Sequence, residues 1–204
     1  MRRIISLILV LMLSMSALLT SCGKEVIEYD EGEVLTAARE LIEKSTEFND
    51  IFWGKGLEYI EGSSYDSGNY SPAEYHKYYV TIDDILSSAA KIFSVGYMDN
   101  VKMTVFSAQF GDTGLGAYSR YYQESKGEPI MVRTDYNPVL VDENSFLYDT
   151  LTFVGADEDS VTVKISLKVT RGEMSQVIER KINLVYEDGW QIDSHTFANY
   201  NVNI

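Results

Sequence analysis

Trp53, Tyr59, Tyr65, Tyr70, Tyr75, Tyr78 and Tyr79 follow one another in a polar stretch rich in Gly, Ser and Asn. Rings carried by such a stretch can stack on a sugar or grip a protein partner, because each offers apolar area with a polar handle. Trp53, Tyr59, Tyr65, Tyr70, Tyr75 and Tyr78 are therefore candidate ligand-binding residues, together with Tyr122 and Arg133 further along. Spacing alone permits a plainer arrangement, with Trp53 and Tyr79 in a core and the other rings covering a sheet.

Other chemistries find less support. His76 and His195 are the only histidines, and neither sits in an HxxxH, HExxH or nucleophile-elbow setting. His195 follows the last clear strand and reads as a surface or capping residue. Residues 111–116 (GDTGLG) lack the Gly-Lys-Ser/Thr ending of a phosphate loop and read as a flexible loop. Asp157-Glu158-Asp159 lacks the spaced oxygens and distal Glu of a calcium loop and reads as a hairpin tip. No metal and no cofactor are expected.

The elements that must position the rings follow from periodicity. Val34, Leu35, Ala38, Leu41, Ile42 and Ser45 recur at helical spacing, opposite Arg39, Glu40, Glu43 and Lys44. This predicts an amphipathic helix of about 15 to 18 residues, starting at Glu33 and ending before Gly54. A long loop over 54–74 comes next, then a strand over 75–81, where aromatic and β-branched residues gather. Thr81-Ile82-Asp83-Asp84 caps a second helix whose buried stripe is Ile82, Ile85, Leu86, Ala89, Ala90 and Phe93.

The C-terminal half reads as strands. Runs over 118–124 and 130–136 flank Lys126-Gly127-Glu128 as a hairpin, and a run over 151–154 leads into the clearest alternation. Val161, Val163, Ile165, Leu167 and Val169 point one way, with Thr162, Lys164, Ser166, Lys168 and Thr170 opposite. Arg171-Gly172-Glu173 turns into a strand presenting Ile178, Ile182, Leu184 and Tyr186. Asp188-Gly189 turns into a last strand from Trp190. Helices followed by a meander make an α+β order.

Residues 1–22 combine Arg2 and Arg3, an apolar run over 4–13 broken by Ser6, and Leu19-Thr20-Ser21-Cys22. The apolar stretch is shorter than the roughly 20 residues a spanning helix needs, and the whole has the form of an export signal. It resembles a bacterial lipoprotein signal. The resemblance implies that residues 1–21 are removed, that the Cys22 sulfur carries a diacylglyceryl group, and that the protein is lipid-anchored on the extracytoplasmic face of a membrane. Two or more acyl chains hold a protein at a bilayer where one does not. Residues 22–32 read as a tether reaching at most about 35 to 40 Å, followed by one domain over 33–204.

Removing residues 1–21 takes two basic residues and no acid, moving the net charge from −14 to −16. Nucleic acid and anionic lipid headgroups repel such a surface, so nucleic acid is excluded as a partner. Cys22 is the only cysteine, so no internal disulfide can form.

The closing segment Val185-Tyr186-Glu187-Asp188-Gly189-Trp190-Gln191-Ile192-Asp193 resembles the final hairpin of NTF2-like domains. These wrap a curved antiparallel sheet around N-terminal helices to form a cone. The resemblance implies either a binding module or an enzyme acting on a small hydrophobic substrate. Such an isomerase needs a carboxylate base in a dry cone and a hydroxyl donor to the oxyanion. Asp135 beside Tyr136, or Tyr122 with Arg120 and Arg133, could supply these; Asp135-Tyr136-Asn137-Pro138 also reads as a turn. A second resemblance, through the first helix, the Tyr-rich stretch and Thr81-Ile82-Asp83-Asp84-Ile85, is to secreted bacterial inhibitors of cell-wall endopeptidases. The expected function is a non-catalytic module binding a ligand or an envelope protein, with hydrolase inhibition or an NTF2-like activity as alternatives.

Overall fold

In the computed structural model, residues 29–62, 69–106, 119–138 and 143–196 are described. Cys22, Tyr65 and the 111–116 loop lie outside them. Helix α1 (Glu31–Trp53) starts two residues before the expected point, where Asp30 accepts from the Glu33 N–H at 2.9 Å. At 23 residues it is also longer than predicted. Phe48, Ile51 and Phe52 extend its buried stripe by another two turns, and burial there rewards continued helix. The helix stops at Gly54, where a Cβ would collide with Asp50.

The alternation from Val161 to Val169 becomes the inner face of β5 (Ser160–Arg171), with all five residues fully buried. Strand β4 (Glu143–Ala156) lies on one side of β5, and β6 (Met174–Tyr186) and β7 (Trp190–Ile192) follow on the other. All pairings are antiparallel. Gly172 and Gly189, at φ 59° and 112°, occupy the two predicted turns in a conformation that costs other residues about 1–2 kcal/mol. Ile182 and Leu184 of β6 are buried as expected, whereas Tyr186 at its end is exposed and meets Trp190 edge-on. Strand β4 begins well before Leu151 and slips register twice, between Leu147 and Thr152 and between Phe153 and Gly155. Thr150 bridges the first slip, accepting from the Ser166 N–H at 2.8 Å and donating to the Leu147 carbonyl at 2.6 Å.

Helix α1 reaches both outer strands, β4 and β7. A helix of this length is about 35 Å long, against a sheet about 14 Å wide. Val34, Ala38, Leu41, Ile42, Phe48 and Phe52 share one core with Val161, Val163, Ile165, Ile182, Leu184 and Ile192. Beyond this core, Leu167 and Val169 form a separate small cluster with Phe146 and Ile178.

The predicted strand over 75–81 is absent. Strand β1 (Tyr70–Pro72) instead precedes it and pairs with β3 (Met131–Arg133), whose other neighbour is β2 (Tyr121–Tyr122). Pro72 lies on an outer strand of this sheet, the position a residue without an N–H tolerates. Tyr75, Lys77, Tyr78 and Val80 are exposed, so the run has no buried face to fix it in a ladder. Tyr79 alone turns inward.

Helix α2 (Ile82–Ala89) has the predicted Thr81 cap, reciprocated by Asp84. The Thr81 hydroxyl and nearby N–H groups hold the Asp84 carboxyl below its usual range. Helix α3 (Val95–Val101) and a wider π-type turn (Lys102–Phe106) follow, neither of them foreseen. Among the described residues, three helices and two antiparallel sheets make the architecture α+β.

Ile165→Ala, at a site with no exposure, should lower unfolding free energy by about 2–5 kcal/mol. Urea denaturation followed by circular dichroism measures this, and a loss under 1 kcal/mol would contradict the placement of the core.

Candidate functional site

The candidate rings separate into several places. Trp53 is half-buried at the end of α1, donating from Nε1 to the Tyr97 hydroxyl at 3.3 Å. Tyr59 is half-buried in an isolated bridge to Ala73. Tyr70 is buried, donates its hydroxyl to the Ser119 carbonyl at 2.6 Å, and meets the Tyr122 ring edge-on at 4.8 Å. Tyr75 and Tyr78 are 86% and 66% exposed. His76 lies between them, its ring stacked on Tyr79 at 4.8 Å. The Tyr79 hydroxyl donates to Glu47 at 2.9 Å, and burial with that carboxylate pushes its pKa upward.

The acid–base candidates adjoin one another, the Arg133 N–H donating to the Arg120 carbonyl at 2.9 Å. Arg133 grips Asp135 in a fork of 2.5 and 3.1 Å, which holds the exposed carboxyl below its usual range. A base in a dry site has the opposite tuning. Arg120 is 4% exposed and lies 4.2 Å from the centre of the Tyr136 ring. Its Nη2 donates to the Gly54 carbonyl at 2.6 Å, while Nε and Nη1 have no hydrogen-bond partner among the described residues. Arg120 thus braces the turn after α1. Gly56, at φ 87°, lies so close to Arg120 and Tyr121 that a Cβ would overlap both.

What sequence reasoning missed is a groove along the last turns of α1. Three adjoining concavities of about 260, 390 and 480 Å³ all include Asp50. The inner one lies between α1, β4, β5 and the segment after β7, lined by Thr46, Glu47, Asn49, Asn144, Phe146, Leu167 and Thr196 as well. The outer two run past Glu58, Glu61 and Glu74 to Tyr59, Tyr75 and His76, with Lys55 as their one lining lysine. Five carboxylates from three segments therefore line these adjoining concavities.

The inner arm is held by a buried polar knot. Ser45 gives its proton to the Ile42 carbonyl at 2.8 Å. Asn49 donates from Nδ2 to Ser45 at 3.3 Å and to Thr196 at 2.7 Å. This pins the segment after β7 onto α1, and leaves Asn49 Oδ1 without a partner among the described residues.

No protein-family model matches this chain, and no characterised protein matches it either. Among the described residues, no three His, Cys, Asp or Glu side chains come together to hold a metal ion. No helix among them is long and apolar enough to cross a membrane.

His195 is exposed as a residue, yet its ring packs edge-on against Trp53 at 5.3 Å, with Nδ1 3.2 Å from the Tyr97 hydroxyl. The Tyr97 hydroxyl accepts from Trp53 and shares a hydrogen bond with Nδ1, whose direction follows the imidazole tautomer. Partial burial, then the Arg180 charge, lowers the His195 pKa from its ordinary 6.5. As pH falls below 6.5, the unfolded chain takes a proton that the folded one resists, so stability declines. Urea midpoints measured between pH 7.5 and 5.5 should fall with acidification, and fall less for His195→Asn. Equal slopes in the two proteins would refute this role.

Proposed function

We propose that the chain is a membrane-anchored, extracytoplasmic bacterial lipoprotein whose NTF2-like domain acts as a non-catalytic binding module for a ligand or envelope protein. The observation that carries the binding reading is the acidic groove bordered by exposed Tyr75. Concavity, an aromatic rim and a concentration of one charge are the features of a recognition surface. Placing lipid on Cys22 rests on Leu19-Thr20-Ser21-Cys22 and the basic, apolar segment before it. The NTF2-like reading draws on helices against a four-stranded meander that closes through Asp188-Gly189.

A second reading, inhibition of a cell-wall hydrolase, is favoured by the exposure of Tyr75 beside five carboxylates. Such a surface suits a basic enzyme face. Hydrolysis of purified cell wall, with and without the domain, separates inhibition from simple binding.

Cells fed labelled palmitate should label the wild-type protein and leave Cys22→Ser unlabelled. The wild type should enter the detergent phase on cloud-point separation, and the variant the aqueous phase. Equal labelling and partition of both would overturn the anchor.

A further inference from the structure

Another concavity, of about 240 Å³, lies between α2 and α3 and differs in kind from those along α1. Leu86, Ala90, Phe93, Val95 and Met98 supply most of its lining. Lys102 is the one charged residue there, and no carboxylate lines it. Val95 is 62% exposed, and Met103, next to Lys102, is 57% exposed. Apolar surface gathered in one place with a polar rim marks a contact with something other than water.

Backbone pairing fixes where this hollow stands. Residues 92–94 run parallel beside β7, with the Ser94 N–H donating to the Ile192 carbonyl at 2.9 Å. The Ile192 N–H donates in turn to the Ile92 carbonyl at 2.8 Å. The end of α2 therefore lies beside the start of β7, where Gln191 donates from Nε2 to the Ala90 carbonyl at 2.8 Å. Trp190, one residue earlier, packs its ring against Tyr29 at 5.1 Å. Cys22 lies seven residues before Tyr29, so the chain between them spans at most about 25 Å. A lipid on Cys22 brings its bilayer within reach of this end of the domain, and the apolar hollow is at this end. Asp30, Glu31, Glu187 and Asp188 are exposed here too, so attraction to anionic headgroups does not supply the contact.

We propose that the α2–α3 hollow is a bilayer-docking surface, with Val95 and Leu86 entering the lipid interface. Exposed Lys91 and Lys102 stand at its rim, Lys102 paired with Asp99 at 3.0 Å. Lysines so placed lay their apolar stems along the contact and keep their charge in water. Apolar contact of this size is weak by itself, but the anchor makes it intramolecular. Docking here turns the far end of α1, with its acidic groove, away from the membrane. The proposal rests on the reading of Cys22 as lipidated.

With the Cys22 sulfur occupied by lipid, a cysteine introduced elsewhere is the one free thiol and takes a fluorophore alone. Val95→Cys places the label in the hollow, and Glu187→Cys places it in the exposed β6–β7 turn near the same anchored end. Both lipoproteins, their folding verified by thermal melts, go into phosphatidylcholine vesicles containing a lipid spin-labelled high on its acyl chain. The label at residue 95 should be quenched at least threefold more than the label at residue 187. Equal quenching at the two positions, or stronger quenching at 187, would reduce the effect to nearness to the anchor and overturn the docking surface. Negligible quenching at both, in protein that floats with the vesicles, would overturn docking and leave the anchor standing. Protein that does not float with the vesicles would remove the anchor and the docking surface together.

Discussion

One helix laid across one sheet is the constraint on which everything else depends. Helix α1 buries a stripe from Val34 to Phe52 against the inner faces of β5 and β6, and meets both outer strands of their sheet. Each fully buried aliphatic or aromatic side chain contributes about 1.5–3 kcal/mol. With one cysteine in the chain, no internal disulfide supplements that packing. The inner concavity lies beside the last turns of α1, where Thr46, Glu47, Asn49 and Asp50 face Asn144, Phe146 and Leu167 while Phe48 and Phe52 of the same turns remain in the main core.

The strongest signals in the sequence read correctly, although Tyr186 and Ala90, placed on buried faces, are exposed. The five alternating residues of β5 are all buried, the Asp188-Gly189 turn joins the strands expected of it, and Thr81 caps α2. The run over 75–81 misled because aromatic and β-branched content measures fitness for a half-buried surface rather than a ladder itself. Here Tyr75 and Tyr78 face outward, and the pairing falls to Tyr70–Pro72. Ser94 caps α3 by accepting from the Tyr97 N–H at 3.0 Å, a local signal that went unread, and its hydroxyl is held in place by a further hydrogen bond to Asp193, nearly a hundred residues away. Local sequence carries no record of such a bond.

The site was legible in its rim and illegible in its floor. Tyr59 and Tyr75, candidates from sequence, do border the groove, whereas Tyr70 is committed to the small sheet and Trp53 to the contact with Tyr97 and His195. Asn49 and Thr196 gave no signal. An asparagine in an amphipathic helix is indistinguishable from a surface residue until the fold brings a hydroxyl from the far end of the chain against it. The acids belong to separate segments, so their convergence is a property of topology alone.

The two slips of register along β4 have a consequence for the molecule among its own copies. β4 is the free margin of the sheet, and fourteen residues of regular, unpaired backbone would offer a neighbouring chain a long row to zip onto. The interruption bridged by Thr150 and the one beside Gly155 break that row into short pieces of differing twist. Crowded copies of the domain would thereby be spared strand-to-strand polymerisation.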